Sequence, residues 1–174
     1  MAKDYKKQFS QIYDKHIDKI YRYVLLKVGA KEPAEDIVAE VFTKTWKKFR
    51  TGPEIRNCSA YLYQVARAEI ANYYRTGAKV EFVSVDFVPI VDKKASPEAE
   101  QTLKGDLENL QRHLREIKDD YQDVLLWYYV DGYSTKEIAA MLEKSEGAVR
   151  VMVSRALAEL REKMAKKWPE TLFA

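Results

Sequence analysis

Of the residue types that build disulfides, metal cages and tight turns, the 174 residues contain one cysteine, two histidines, six glycines and five prolines. The single Cys58 excludes an internal disulfide framework and a thiolate metal cage. With no signal-peptide pattern at the start of the chain, it points to a reducing, cytoplasmic setting. So little Gly and Pro leaves few breakers for the many turns of a β-sandwich. No apolar run approaches the roughly 20 residues that span a bilayer, so no membrane span is expected. There is no glycine-rich phosphate loop, no nucleophile elbow and no paired-carboxylate site, and the chain is expected not to be an enzyme. His16 and His113 have no partner at metal-ligand or catalytic spacing and are expected at the surface. Cys58 has no nearby His and is expected to be a small buried or loop residue. No metal or cofactor is expected.

What is present favours helix. The chain is 47% hydrophobic and 33% charged, too apolar for disorder, and Ala, Lys, Glu, Leu and Arg recur in blocks. Its net charge of +3 is unevenly spread. Residues 1–76 hold 15 basic against 9 acidic side chains, residues 77–123 hold 7 against 11, and residues 124–174 hold 8 against 7. A basic front followed by an acidic middle suits a polyanionic partner for the first piece and a different environment for the second.

Apolar periodicity places the elements. Phe9, Ile12, Tyr13, Ile17, Ile20, Tyr21, Val24 and Val28 form one helical stripe, which Gly29 stops. Pro33 in a first turn opens a second helix with the stripe Ile37, Val38, Val41, Phe42, Thr45, Trp46 and Phe49, closed by Thr51-Gly52-Pro53. Ser59 is the expected cap of a third helix, with Leu62, Val65, Ala66, Ile70 and Tyr73 inward and an end near Gly77. From Gly77 to Ala95 a weak alternation broken by Pro89 predicts an extended linker, since no second strand is present to pair with it. Ser96-Pro97-Glu98 starts a fourth helix with Leu103, Leu107, Leu110, Leu114 and Ile117 inward.

The end of the chain carries the clearest local signals. Tyr121 to Val130 forms a short apolar helix ended by Asp131-Gly132, and Ser134-Thr135-Lys136-Glu137 is a capping box for a helix through Leu142. Ser145 caps a longer helix, to about Lys167, with Val149, Val153, Ala156, Leu157 and Leu160 inward. Two helices joined near Glu143-Lys144, the second long and basic, match a helix-turn-helix whose second helix enters the major groove. The expected fold is all-α: two small helical domains joined by an extended linker.

Three faces are candidates for function. At about 100° per residue, the last helix turns Gly147, Val151, Ser154 and Arg155 away from its core stripe, with Arg150 at the edge. Arg can grip phosphate or guanine, Ser can bond phosphate or base, and an exposed Val can meet a thymine methyl. The third helix turns Tyr61, Gln64, Ala68, Asn72 and Arg75 outward, flanked by Tyr63 and Tyr74. Such a face suits unpaired bases, and the same pattern suits tyrosines packed at a domain surface. The second helix exposes Asp36, Glu40, Thr43, Lys44 and Lys47, and acids at a helix start complement its dipole without any further role.

Three stretches resemble the extracytoplasmic-function sigma factors of bacterial RNA polymerase. They are Ala34-Glu35-Asp36-Ile37-Val38-Ala39-Glu40-Val41-Phe42 through Trp46, Ala60 to Arg67 through Asn72-Tyr73-Tyr74-Arg75, and Asp131-Gly132-Tyr133-Ser134 through Ser145-Glu146-Gly147-Ala148-Val149-Arg150. The resemblance implies a sigma region 2 over 1–76, an acidic linker over 77–95 and a sigma region 4 over 96–174. Region 2 would bind the core polymerase clamp through Asp36 and Glu40. It would also capture flipped non-template bases of the minus-10 element with Arg56, Tyr61, Gln64, Ala68, Asn72 and Arg75. Region 4 would read the minus-35 element with Ser145, Gly147, Arg150, Val151, Ser154 and Arg155, and would touch the polymerase flap. The linker would thread toward the active centre and the RNA exit path.

The resemblance thus implies a dissociable initiation factor whose partners are core RNA polymerase and promoter DNA, with an anti-sigma factor as a further partner common in that family. A stand-alone helix-turn-helix regulator of duplex DNA is the alternative. Four places depart from the family pattern. Ala68 stands where Asn is common, Tyr128 where Arg often reaches the DNA backbone, Val151-Met152 for a frequent Ser-Arg pair, and Glu143-Lys144 for a Gly-apolar turn.

Overall fold

The computed structural model describes residues 4–77 and 109–165. The extended linker from 78 onward, the start at Ser96-Pro97-Glu98, the inward Leu103 and Leu107 and the helix end near Lys167 lie outside the described residues. The chain divides into two compact units, the first mainly before residue 84 and the second mainly after residue 89. All regular structure among the described residues is helical.

The first unit holds three helices, α1 (Tyr5–Val28), α2 (Lys31–Thr51) and α3 (Cys58–Arg75). Gly29 ends α1 with φ of 78°, a left-handed conformation that costs glycine nothing, and its N–H reaches Leu25 O at 2.8 Å. The predicted stripes on α1 and α2 meet through rings. Tyr5 packs on Phe49 at 6.0 Å, Phe9 on Trp46 at 5.1 Å and Tyr13 on Phe42 at 4.8 Å between centroids. Rising numbers on α1 pair with falling numbers on α2, so the two helices run antiparallel.

Helix α3 differs from expectation at its start. Asn57, not Ser59, is the cap: its Oδ1 accepts from Ala60 N at 3.0 Å while its backbone is still extended. Both residue types suit the position, and only the backbone path selects between them. Along α3, Leu62, Ala66 and Ile70 are buried, whereas Val65 and Tyr73 are half-buried.

In the second unit, residues 109–114 are helical and are followed by α4 (Asp119–Leu125), which widens into a π-turn at Leu126–Val130. The Asp131 N–H bonds Leu126 O at 2.9 Å, one residue further back than in an α-helix. The extra residue sends Leu126 and Trp127 inward and leaves Tyr128 and Tyr129 exposed as an edge-to-face pair at 4.9 Å. A single apolar helix was expected there.

Helix α5 (Thr135–Leu142) starts from the predicted capping box. Glu137 N donates to Ser134 Oγ at 3.1 Å, and Ser134 N donates to Glu137 Oε2 at 2.8 Å. Glu143 turns the chain with φ of 54°, and α6 (Glu146–Ala165) begins at once, its Ala148 N–H held by Ser145 Oγ at 3.1 Å. Val149, Val153, Ala156 and Leu160 of α6 are buried as predicted, whereas Leu157 is half-buried.

Three expectations fail here. His16 and His113 are buried, at 5% and 7% exposure, because each stands beside buried apolar residues of its own segment, Ile20 one turn after His16 and Leu114 next to His113. Leu110, expected inward, is 37% exposed, while Leu114 and Ile117 are inward. No helix among the described residues is long and apolar enough to cross a membrane.

Candidate nucleic-acid interface

The face of α6 is as the periodicity draws it. Gly147, Arg150, Val151, Ser154 and Arg155 are all exposed, opposite the buried Val149, Val153 and Ala156. Ser145 is also exposed, with its hydroxyl committed to the cap. A linkage missed from sequence crosses the turn. Glu146 Oε1 accepts from Arg150 Nη2 at 2.8 Å and from Thr135 Oγ1 at 3.0 Å, tying α5 to α6 and holding the guanidinium to one edge of the face. The Glu146 to Arg150 spacing of four was the available signal.

On α3, Gln64, Ala68, Asn72 and Arg75 are exposed. Tyr61 is half-buried, with the Lys48 ammonium 4.8 Å from its ring centroid. The two flanking tyrosines expected beside this face are otherwise engaged. Tyr63 is 1% exposed and packs edge-on against Tyr23 at 5.1 Å, and the Tyr74 hydroxyl donates to Lys27 O at 2.5 Å. α3 is gripped by α1 as well as α2, so a flank that is free on a lone helix lies inside the bundle.

Exposed Arg56 lies just before α3, on the rim of an open cleft of about 390 Å³ between α1 and the loop, lined also by Lys15, His16, Asn57, Cys58 and Ser59. Burial, reinforced by the charges of Lys15 and Lys19, holds the His16 pKa below its ordinary 6.5. Burial raises the Cys58 thiol, against the opposing pull of Lys15. The cleft therefore presents positive charge and neutral polar groups, a combination that attracts phosphates and hydrogen-bonds bases.

On α2, Asp36 and Glu40 are exposed. Since α2 begins at Lys31, its first turn holds Glu32 alone among the acids. Dipole compensation fades within that turn, so it does not account for Asp36 and Glu40. Glu40 lies 3.8 Å from Lys44, whose ammonium also pairs with Glu69 of α3. The Glu69 hydrogen bond is the main reason the Lys44 pKa is raised.

Residues 12–80 match the family description Sigma-70 region 2, and residues 107–160 match Sigma-70, region 4. The chain belongs to the sigma-70 family. Within that family it is an extracytoplasmic-function sigma factor, similar to BldN of Streptomyces coelicolor, with 27% identity over 156 residues that cover 87% of this chain and 58% of BldN. It is also similar to the sigma factor YlaC of Bacillus subtilis, with 26% identity over 95% of this chain and 97% of YlaC. The chain thus spans just over half of the first relative and nearly all of the second.

Among solved structures, the Bartonella quintana sigma factor RpoE, determined in complex with the anti-sigma factor NepR, shares the fold with a TM-score of 0.64 at 20% identity, over 93% of this chain and 99% of that one. As a sigma factor the chain is a non-enzymatic initiation factor. The presence of both regions, in this order, sets it apart from a stand-alone helix-turn-helix regulator. The region 2 match contains Asp36, Glu40, Arg56 and the exposed face of α3, and the region 4 match contains the exposed face of α6.

Proposed function

We propose that this chain binds core RNA polymerase in the cytoplasm and directs it to two-part promoters, with the work divided over 1–76, 77–95 and 96–174. Asp36 and Glu40 engage the clamp. Arg56, Tyr61, Gln64, Ala68, Asn72 and Arg75 receive the unpaired non-template strand at minus-10, with Lys15 and Asn57 adding polar groups at the Arg56 cleft. Ser145, Gly147, Arg150, Val151, Ser154 and Arg155 meet the minus-35 duplex, and region 4 also touches the flap. The acidic linker follows the nucleic-acid path as a mimic of its charge. An anti-sigma factor is a regulatory partner, as one is for the Bartonella RpoE.

The observation that carries this reading is the pairing, in one chain, of a polar and basic face on α3 with a reading face on α6, inside the matches to regions 2 and 4 respectively. The test is reconstitution. Purified chain added to core polymerase should yield promoter-specific run-off transcripts. Arg150→Ala and Arg155→Ala should each lower promoter affinity and reduce the slope of log affinity against log salt by about 1. A chain that leaves the transcripts of core polymerase unchanged overturns the proposal. A footprint on duplex DNA without polymerase favours the stand-alone regulator instead.

A further inference from the structure

Two residues on the exposed face of α6 break local rules without any structural return. Gly147 lies in the first helical turn, where glycine lowers helix propensity, and its backbone does not require glycine: among the described glycines, Gly29, Gly77 and Gly132 have positive φ and Gly147 does not. A Cβ built on Gly147 would meet nothing within 4 Å, so no neighbour in the fold needs the gap either. Val151 is a β-branched residue in mid-helix, 47% exposed, contributing little to the core. The two are four residues apart, one above the other on the same face, separated by about 6 Å along the axis. Paired departures of this kind on one surface mark a functional contact.

Their chemistry narrows the ligand. Val151 is the one large apolar side chain exposed on the described part of α6, too small an area for docking a protein and the right size for one methyl group. Polar and cationic neighbours, Ser154 and Arg155, stand on the same face. With Arg150 drawn to Glu146, the middle of the face is apolar and locally neutral. Among the base edges of the major groove, only thymine presents a methyl group, and the early residues of a recognition helix are the ones that reach those edges.

We propose that Gly147 and Val151 together specify a thymine in the minus-35 element. The bare glycine lets the start of α6 approach the groove floor, and the Val151 methyls cover the thymine 5-methyl. The inference rests on the assignment of α6 to minus-35 DNA and adds the base it selects.

The experiment uses the full chain reconstituted with core polymerase, on a promoter selected from a library randomised at minus-35. Each thymine of the selected element is replaced in turn by deoxyuridine, which removes only the methyl group. Loss of one buried methyl should weaken wild-type promoter binding about threefold to fourfold at one position. The Val151→Ala holoenzyme should bind the thymine promoter more weakly by a similar factor and be indifferent to deoxyuridine there. Gly147→Ala should also reduce the deoxyuridine effect, by lifting the helix from the groove. Equal responses of wild type and Val151→Ala at every position overturn the inference while leaving minus-35 reading intact. Failure of the library to show any minus-35 selection overturns the assignment of α6 itself. Weaker binding of Val151→Ala to core polymerase in the absence of DNA overturns the inference in favour of a protein contact.

Discussion

Residues 4–77 and 109–165 bury helix faces with different materials. The first unit has helices of 24, 21 and 18 residues, zipped along α1 and α2 by Tyr5, Phe9, Tyr13, Phe42, Trp46 and Phe49. Its buried polar residues among those described are His16 and Thr45, and Thr45 spends its hydroxyl on Val41 O one turn back. The second unit uses a 7-residue helix, a 5-residue π-turn and an 8-residue helix before α6, and it buries Gln111, His113, Gln122, Asp123 and Asp131. Short helices need many connecting turns, and buried polar groups hold some of these: Gln122 Nε2 of α4 donates to Ile117 O in the turn before that helix at 2.8 Å. Length lets the first unit rely on apolar contact, while the second depends on caps and polar linkages to fix the angle of its reading helix.

The largest effect should come from emptying the two cores. Leu62 and Ile138 are both fully buried, so Leu62→Ala and Ile138→Ala should each cost about 2–5 kcal/mol. In the second unit, α5 is too short to persist without its packing. Ile138→Ala should therefore erase amide-exchange protection over 109–165, while Leu62→Ala leaves 4–77 folded with a lower Tm. Equal survival of both units would break the comparison.

Removing a cap from each unit should have a smaller effect, about 1 kcal/mol apiece. Asn57→Ala should fray only the first turn of the 18-residue α3, detected as faster exchange at Ala60. Ser134→Ala removes the hydroxyl that accepts from Glu137 N, keeping only the backbone Ser134 N–H bond to Glu137, and should accelerate exchange through all of α5. If exchange rises no further than Glu137, the dependence of short helices on their caps is overstated.

The smallest effect is a pH dependence confined to the first unit. Because the folded His16 pKa lies below the ordinary 6.5, the unfolded chain binds more protons in the window just beneath that value. Stability should rise with pH through this window and level off above it, and His16→Gln should flatten the rise in urea titrations. An unchanged slope in His16→Gln would assign the dependence to other groups.

Much of this was legible in one dimension. The stop at Gly29, the closure at Gly52, the capping box at Ser134 and the cap at Ser145 are short-range chemistry, set by φ preferences and by hydrogen bonds across three or four residues. The exposed face of α6 was legible too, because a helix packed on one side keeps its period intact. The flank of α3 was not. Tyr63 is outward on a lone helix and inside once α1 and α2 both pack around it, and His16 was misplaced in the same way. The Thr135–Glu146–Arg150 linkage joins two helices whose angle no local pattern encodes.

By itself, then, the sequence determined the helical class, most element boundaries, the uneven charge and the family, since each depends on residue identity at fixed spacing along the chain. Only the tertiary structure decided which tyrosines and histidines are withdrawn from solvent, how the π-turn presents Tyr128 and Tyr129, and where the Arg150 guanidinium rests. Those outcomes depend on how many neighbours surround a helix and at what angle, which long-range packing sets.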